Sequence, residues 1–504
     1  MPLSRITSRE IKHCHPYKDH LYATDLYYTQ LANKVMNQLS KLDIDLGDAK
    51  PSIIRYASIL LANYMEDIVS DSGVWRSFST LCREMYGYDV PMFHDEEEYY
   101  DDEPSLNVVR YLIWNAANEM DDFWWFTDQS DLLLMAQAAY DLLSDEFEKA
   151  PVNTALVEDM DKLLRDSSSD FFKMRSALVW VYSRCYITRC TAAEDALENR
   201  LDEARHVSIM EHDVNMQFYF ALMTCVFIYK TGPLALYPKD YLEQLLRTRS
   251  MASIADDVAA IEALPYGTYR YTVSPSGQTL EMERTNGRQI QVARDEIQLS
   301  DEKLFNENNA VMAQFVYYQS AWHHNGVLAP LKFKNEDEWN SMCVKDPDYM
   351  PAGIMSASAD YFISRADGRQ LIYFDNKKDI KSFMKKKFGF KSSMLTFLNQ
   401  CKDAPVIMFF DKTEHKNVLQ LSHGFINCVA DADNPYYDRA IAQNDAIEMW
   451  WNEQSVGTGM LNYFLDHHML PDVYETSFFM PSSTSGQKEQ DARFLVRYMR
   501  KTKY

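Results

Sequence analysis

Apolar residues recur every three or four positions along most of the first 265 residues, the spacing that keeps one face of an α-helix dry. Over residues 21–42 the stripe is Leu31, Val35, Met36 and Leu39; over 52–69 it is Ile53, Tyr56, Ala57, Leu60, Leu61 and Tyr64. The second stretch follows Pro51, a first-turn residue, and stops at Ser72-Gly73, where glycine supplies a left-handed cap. The same spacing predicts helices over 74–86, 106–120, 131–148, 153–165, 171–186, 192–205 and 214–229, the last closed by Thr231-Gly232-Pro233. No period of about 34 residues recurs, so the pattern describes a compact helical domain rather than a repeat array.

From Thr268 the period changes to two. Tyr269, Tyr271 and Val273 alternate with Arg270 and Thr272; Leu280 and Met282 alternate with Glu281 and Glu283; Ile290 and Val292 alternate with Gln289 and Gln291. Pro275-Ser276-Gly277 and Asn286-Gly287 separate these runs, which predicts a three-stranded meander. A second hairpin is expected over 314–333 with its turn at Asn325-Gly326, and a third joining 361–364 to 370–374 through Asp367-Gly368. Seven short strands by residue 375 favour one antiparallel sheet or a small, partly open barrel. Strands at 406–410 and 418–421 and helices at 436–451, 459–468 and 487–499 complete the pattern. The fold class is α+β: an N-terminal all-α helical domain over 1–265, then an antiparallel-sheet α+β domain over 266–504. Runs of strands after runs of helices, without β-α-β alternation, argue against a doubly wound nucleotide-binding fold.

Composition adds charge asymmetry to this picture. The chain has 504 residues, 46% of them apolar and 25% charged, enough for more than one core. Of its net charge of −23, −22 falls on the first 330 residues. Such a surface repels nucleic acid and anionic lipid, and serves solubility or a basic protein partner. The eight cysteines are scattered without a Cys-x-x-Cys, so they read as reduced and mostly buried. Residues 1–17 encode no signal peptide, and the longest apolar run, 218–229, is too short for a bilayer that needs about 20 residues. These features predict a cytoplasmic protein with one deeply buried helix at that run.

A search for chemistry returns mainly exclusions. Glycine occurs 15 times, and the phosphate-cradling loops that need it are missing; Gly457-Thr458-Gly459 is the only Gly-x-Gly. The nucleophile elbow and His-Glu-x-x-His are also missing. Asp431-Ala432-Asp433 begins like a calcium loop, but Pro435 and Tyr436 occupy positions that need an oxygen ligand and a glycine, so it reads as a turn. Neither His323-His324 nor His467-His468 can chelate unaided, because neighbours diverge on strand and helix alike. His13, His15 and His20 fit either a metal site or a solvated, capping cluster. Eight acids from Asp89 to Glu103 repel one another and read as a solvated loop anchored by Tyr99 and Tyr100, with a cation site as the alternative. The rings of Phe123-Trp124-Trp125-Phe126 and of Trp450-Trp451 read as core or interdomain packing, with one ring of each cluster left over for another surface. Glu66-Asp67 and Asp121-Asp122 are of acid–base type, but adjacent helical acids point apart. No cofactor and no metal site is therefore expected.

One positive signal stands out. Lys377, Lys378, Lys381, Lys385, Lys386 and Lys387 share a stretch in which Ile380, Phe383, Met384 and Phe388 fall at helical spacing, so one helix presents a cationic ridge. It reads as a solvated face able to dock on the acidic domain, or as a contact for phosphate or nucleic acid. Lysine without arginine argues against specific base reading.

His15-Pro16-Tyr17, Leu31-Ala32-Asn33-Lys34, the run Leu61 to Trp75, Tyr111-Leu112-Ile113-Trp114, Gly232-Pro233-Leu234-Ala235-Leu236, Val406 to Asp411 and Asn434 to Asp438 resemble an uncharacterised family from Bacteroides-type gut bacteria. The resemblance spans most of the chain and implies a bacterial origin; its motifs are apolar and aromatic, so it carries over no active site. The function class expected is a non-catalytic binding or regulatory protein. The alternative is a metal-dependent hydrolase of a phosphate-containing or nucleic-acid substrate, with the lysine helix holding substrate. Mimicry of nucleic acid by the acidic half is a third reading.

Overall fold

The computed structural model describes residues 4–94, 99–205, 213–297, 309–346, 358–414 and 418–501. The helical stretch comprises α1 (Ser8–His13), α2 (Asp25–Ser40), α3 (Lys50–Ser70), α4 (Val74–Tyr86), α5 (Leu106–Met120), α6 (Ser130–Phe147), α7 (Thr154–Asp166), α8 (Phe171–Ser183), α9 (Thr191–Arg205), α10 (Val214–Ile228), α11 (Pro238–Thr248) and α12 (Ala252–Ala259). Periodicity marks nine of these; α1, α11 and α12 are short additions it does not reveal. The reasons for the boundaries are local. Helix α4 runs between Gly73 and Gly87, both left-handed (φ +85° and +83°), which only glycine enters without strain. Side chains of Ser105, Asn153, Asp170 and Asp213 accept backbone N–H bonds at the starts of α5, α7, α8 and α10.

Helix α10 departs from expectation. Its later turns are buried, but Val214, Met216, Phe218 and Tyr219 are exposed, Phe218 by 48%, so the apolar run is not sunk in the core throughout. Among the described residues no helix is long and apolar enough to cross a membrane.

The chain then turns to strands: β1 (Glu262–Ala263), β2 (Gly267–Val273), β3 (Thr279–Arg284), β4 (Gln289–Ala293), β5 (Asn309–Tyr318) and β6 (Ala321–Lys332), followed by α13 (Glu336–Lys345). The meander forms as its alternation predicts: Tyr271 faces Met282, which faces Ile290, and Leu280 faces Val292. The inward set packs with Tyr269, Val311, Ala313 and Phe315. Strand β5 pairs with β2 and β1 on one side and β6 on the other, all antiparallel.

The second hairpin corrects the sequence reading. Its turn is Gln319-Ser320, both at positive φ (+46° and +65°), whereas Asn325-Gly326 lies inside β6, opposite Gln314 where the register shifts. The reason is tertiary. The buried Asn325 carboxamide donates to Met223 O and Gln314 Oε1, both at 2.8 Å, and accepts from Arg175 at 3.0 Å, so long-range partners outweigh the local turn preference.

Residues Met1–Tyr349 form one compact unit, which joins the helices to the first sheet, and Met350–Tyr504 form another. In the second, α14 (Ala359–Arg365) replaces the strand expected at 361–364, which removes the third hairpin. A short apolar run does not distinguish strand from helix. Here Ser358 caps the turn and Phe362 stacks on Phe410 with ring centroids 5.5 Å apart. Strand β7 (Leu371–Phe374) pairs instead with β8 (Val406–Phe410), and β8 with β9 (Leu419–Ser422), giving a separate three-stranded antiparallel sheet rather than one continuous sheet or barrel. Helix α15 (Lys377–Phe388) follows β7; α16 (Arg439–Asp445), α17 (Thr458–Asp466) and α18 (Ser485–Met499) follow the sheet. The helix expected over 436–451 is split into α16 and a 3₁₀ stretch, Ala446–Trp450. Arg500, 1% exposed, fastens the C-terminus by donating to Trp450 O and Val456 O at 2.7 Å and to Met449 O. Burial lowers its pKa to about 10.

Candidate anion-contact surface

Helix α15 owes its orientation to its apolar stripe. Ile380, Met384 and Phe388 are buried among Phe362, Ile372, Met408 and Phe410, which leaves the lysines on the remaining faces. Asn376 caps the start by accepting from Lys378 N and Asp379 N, and Gly389, at φ +70°, closes the end. Lys385, Lys386 and Lys387 in the last turn suit the negative end of the helix dipole, while Lys377 and Lys378 in the first turn oppose the positive end at a cost of about 0.3–1 kcal/mol each. Helix stability therefore does not explain the first two.

Two of the six predicted lysines commit their side chains, and Lys377, half-buried, commits only its backbone. Lys387 pairs with Asp367 at 2.6 Å, Lys381 donates to Asn399 at 3.3 Å, and the Lys377 backbone N–H reaches Asp403 at 3.4 Å. The ammonium groups of Lys378, Lys385 and Lys386 are exposed, with no ion pair or hydrogen bond among the described residues. Beside them the 3₁₀ stretch Ser392–Asn399 exposes Met394 and Phe397, a feature the lysine count alone did not reveal. Residues 359–403 hold ten Lys or Arg against five Asp or Glu, a local net charge of +5 within an acidic chain.

The other candidates resolve into structure. Among the described residues, no group of three His, Cys, Asp or Glu is placed to hold a metal ion. His13 and His20 line one cavity, but His15 turns inward to Glu66, 2.9 Å away, so the three do not converge. Glu66 and Asp67 are both buried and point apart: Glu66 toward His15, Asn153 and Thr24, Asp67 toward the start of α4. Glu119 is buried too and accepts from Thr191 N and Oγ at 2.7 and 2.8 Å, capping α9. Asp121 holds the Phe123 N–H and the Trp125 indole in a loop. Asp431 forms the expected turn, accepting from Asp433 N and the Tyr373 hydroxyl. His323 pairs with Glu296; His467 and His468 remain separate and exposed. In the acidic run, Asp89 pairs with Arg83, Asp101 with Arg76, and Tyr99 accepts from the Trp75 indole; residues 95–98 lie outside the described residues. Phe123 and Trp451 are the exposed rings of the two aromatic clusters. All eight cysteines are free thiols, six of them buried.

The Gly-x-Gly is a packing device. Asp411 follows β8 almost fully buried and accepts from Thr413 N, Thr413 Oγ and Gln420 Nε2. Gly457 and Gly459 begin α17 against it: a β-carbon on Gly459 would overlap the Asp411 carboxylate, and one on Gly457 the Gln420 amide. Gly459→Ala is expected to destabilise this unit by ~2 kcal/mol. Hydrogen exchange of the β8 amides should then rise roughly 30-fold, and unchanged protection would show that the approach is not tight.

A family model described as "Protein of unknown function (DUF3843)" matches residues 5–290 and 333–501. No curated protein and no solved structure matches.

Proposed function

Because the chain belongs to this family of unknown function, we propose from its own residues that it is a non-catalytic binding protein, and that α15 contacts phosphate groups spaced along a polymer. The observation that carries the reading is the set of uncommitted ammonium groups at Lys378, Lys385 and Lys386 on a helix whose opposite face is locked in a core. Lysine fits this task as a mobile point charge that meets phosphate without demanding base-edge geometry. Exposed Phe397 offers a ring on which an unpaired base can stack. The net charge of −23 opposes any polyanion at long range, but screening confines that repulsion to about 10 Å at 0.1 M salt, so the local +5 governs close contact. Asp67, Glu66 and Glu119, buried in the larger unit, support a non-catalytic reading, since these three are occupied in capping helices or joining segments.

Fluorescence anisotropy with labelled oligothymidine, with inorganic polyphosphate as competitor, tests this. We expect weak binding by the full chain at low salt, with a log–log salt slope near roughly −2 for three phosphate contacts on a single strand. Lys378→Glu, Lys385→Glu and Lys386→Glu combined should abolish it without changing the melting temperature. Competition by polyphosphate at equal phosphate concentration identifies phosphate spacing alone as the feature recognised; a stronger grip on oligothymidine brings in Phe397. If neither probe binds, or the triple variant binds as well, the reading fails.

A further inference from the structure

We infer that the larger unit contains a binding site for a small amphipathic organic acid, in a cavity of about 540 Å³ between the His-Pro-Tyr segment, α8, α9 and α10. This volume lies within the range of roughly 300–1,000 Å³ typical of small-molecule sites, and clefts between helices are a common place for them. The site is separate from the lysine ridge and does not depend on it.

Two features define the ligand. Val179, Leu197, Phe218 and Leu222 give the cavity an apolar wall, and Phe218 keeps almost half its surface in water. Four apolar side chains grouped on one wall of a cleft, rather than any one of them alone, suit an apolar ligand body. The polar groups stand on the other side. Arg184, just past the end of α8, is half-buried, and its guanidinium donates to the carbonyls of His15 and Pro16 at 3.3 and 3.0 Å but to no carboxylate among the described residues. Lys18 is exposed at the rim with no ion pair among the described residues, and Asp19 is the single acid lining the cavity.

The electrostatics agree with the geometry. Burial and the nearby charges of Arg189, Arg184 and Lys18 hold His13 below the ordinary imidazole value, and burial lowers Arg184 as well. Glu194, which pairs with Arg189 at 2.6 Å, opposes these charges at His13, and His20 is matched by Asp159 at 2.6 Å, so Lys18 and Arg184 are the lining cations with no ion pair among the described residues. Asp19 acts on Arg184 only through space, and a planar carboxylate fits the guanidinium fork in two parallel bonds. A carboxylic acid with an apolar body of moderate length satisfies both sides at once.

Equilibrium titration of the full chain with 8-anilinonaphthalene-1-sulfonate, displaced by decanoate or by decanol, tests the inference. The expected result is one equivalent of bound dye, displaced by decanoate at least about tenfold more readily than by decanol. Ser183→Trp, which fills the cavity from α8, should abolish dye binding. Lys18→Glu at the rim should weaken decanoate about fivefold while leaving decanol unchanged. Arg184→Gln should remove the preference for decanoate; if that variant or Ser183→Trp unfolds by circular dichroism, the Lys18→Glu comparison decides alone. Equal displacement by decanol, an unaltered dye signal in a folded Ser183→Trp, or no dye binding by the native chain would each overturn the assignment.

Discussion

Truncating Asp67 to alanine destabilises the larger unit by ~4 kcal/mol, a fall of about 5 °C in melting temperature for a cooperative unit of this size. The carboxylate, 4% exposed, accepts four hydrogen bonds: Ser72 Oγ and Val74 N on Oδ1, at 2.5 and 3.1 Å, and Trp75 N and the Tyr186 hydroxyl on Oδ2, at 2.6 and 2.8 Å. Helix α4 begins at a glycine that has no side chain to cap it, so Asp67 reaches across from the last turn of α3 to supply the missing acceptor. Removing it leaves several buried donors empty. Asp67→Asn discriminates the cause: its amide places an N–H₂ against donors on one side, so about half the loss should persist, whereas a pure packing role would leave the asparagine variant at wild-type stability.

The same residue sets a pH dependence whose sign can be worked out. Burial raises the Asp67 carboxyl above its ordinary value, although Ser72, Trp75, Tyr186 and Val74 all pull it down. A folded pKa above the unfolded value of about 3.9 means that the stabilisation is complete below that value and diminishes as pH rises through the folded pKa. The gap in stability between the native chain and Asp67→Ala should therefore be wider at pH 4 than at pH 7. Scanning calorimetry at the two pH values reads it directly.

How far such features could be foreseen depends on whether their cause is local. Helices α4 and α5 begin and end where apolar spacing places them, because glycines or a serine cap lie in the adjoining sequence. The meander is equally local: alternation and the Asn286-Gly287 turn fix its register. Asn325-Gly326 carries the same turn signal, yet Arg175, Met223 and Gln314 claim the asparagine from up to 150 residues away. Glu66 and Asp67 could be identified as unusual because two adjacent acids sit in an apolar helix, but their partners come from α4, the His15 segment and Asn153, which no spacing rule connects. The lysine ridge was legible because one helix carries all of it. The organic-acid cavity was not, since its walls come from residues between 13 and 222 and its one guanidinium is unremarkable in sequence.

Glu66→Ala gives the second large effect, an expected loss of ~3–5 kcal/mol, because it removes one member of a buried pair and leaves the other without its partner. Glu66 is 1% exposed and His15 4%; Oε2 meets His15 Nε2 at 2.9 Å, and Oε1 accepts from Asn153 Nδ2 at 2.7 Å and Thr24 Oγ at 3.4 Å. One carboxylate thus joins α3 to the start of α2, the start of α7 and the His-Pro-Tyr segment. That segment is held also by Trp180, whose indole donates to Cys14 O, and by Arg184. If Glu66 and His15 act as a pair, His15→Ala combined with Glu66→Ala should lose less stability than the sum of the single variants, by about 1–3 kcal/mol in a double-mutant cycle. Strictly additive losses would show that each residue is held independently. Because the same segment forms one side of the cavity beside Arg184, Glu66→Ala should also weaken decanoate binding at temperatures where the unit is still folded, while leaving the response of α15 to polyphosphate unchanged. Parallel loss at both sites would instead point to general unfolding, and would show that the pin does not act through the cavity wall.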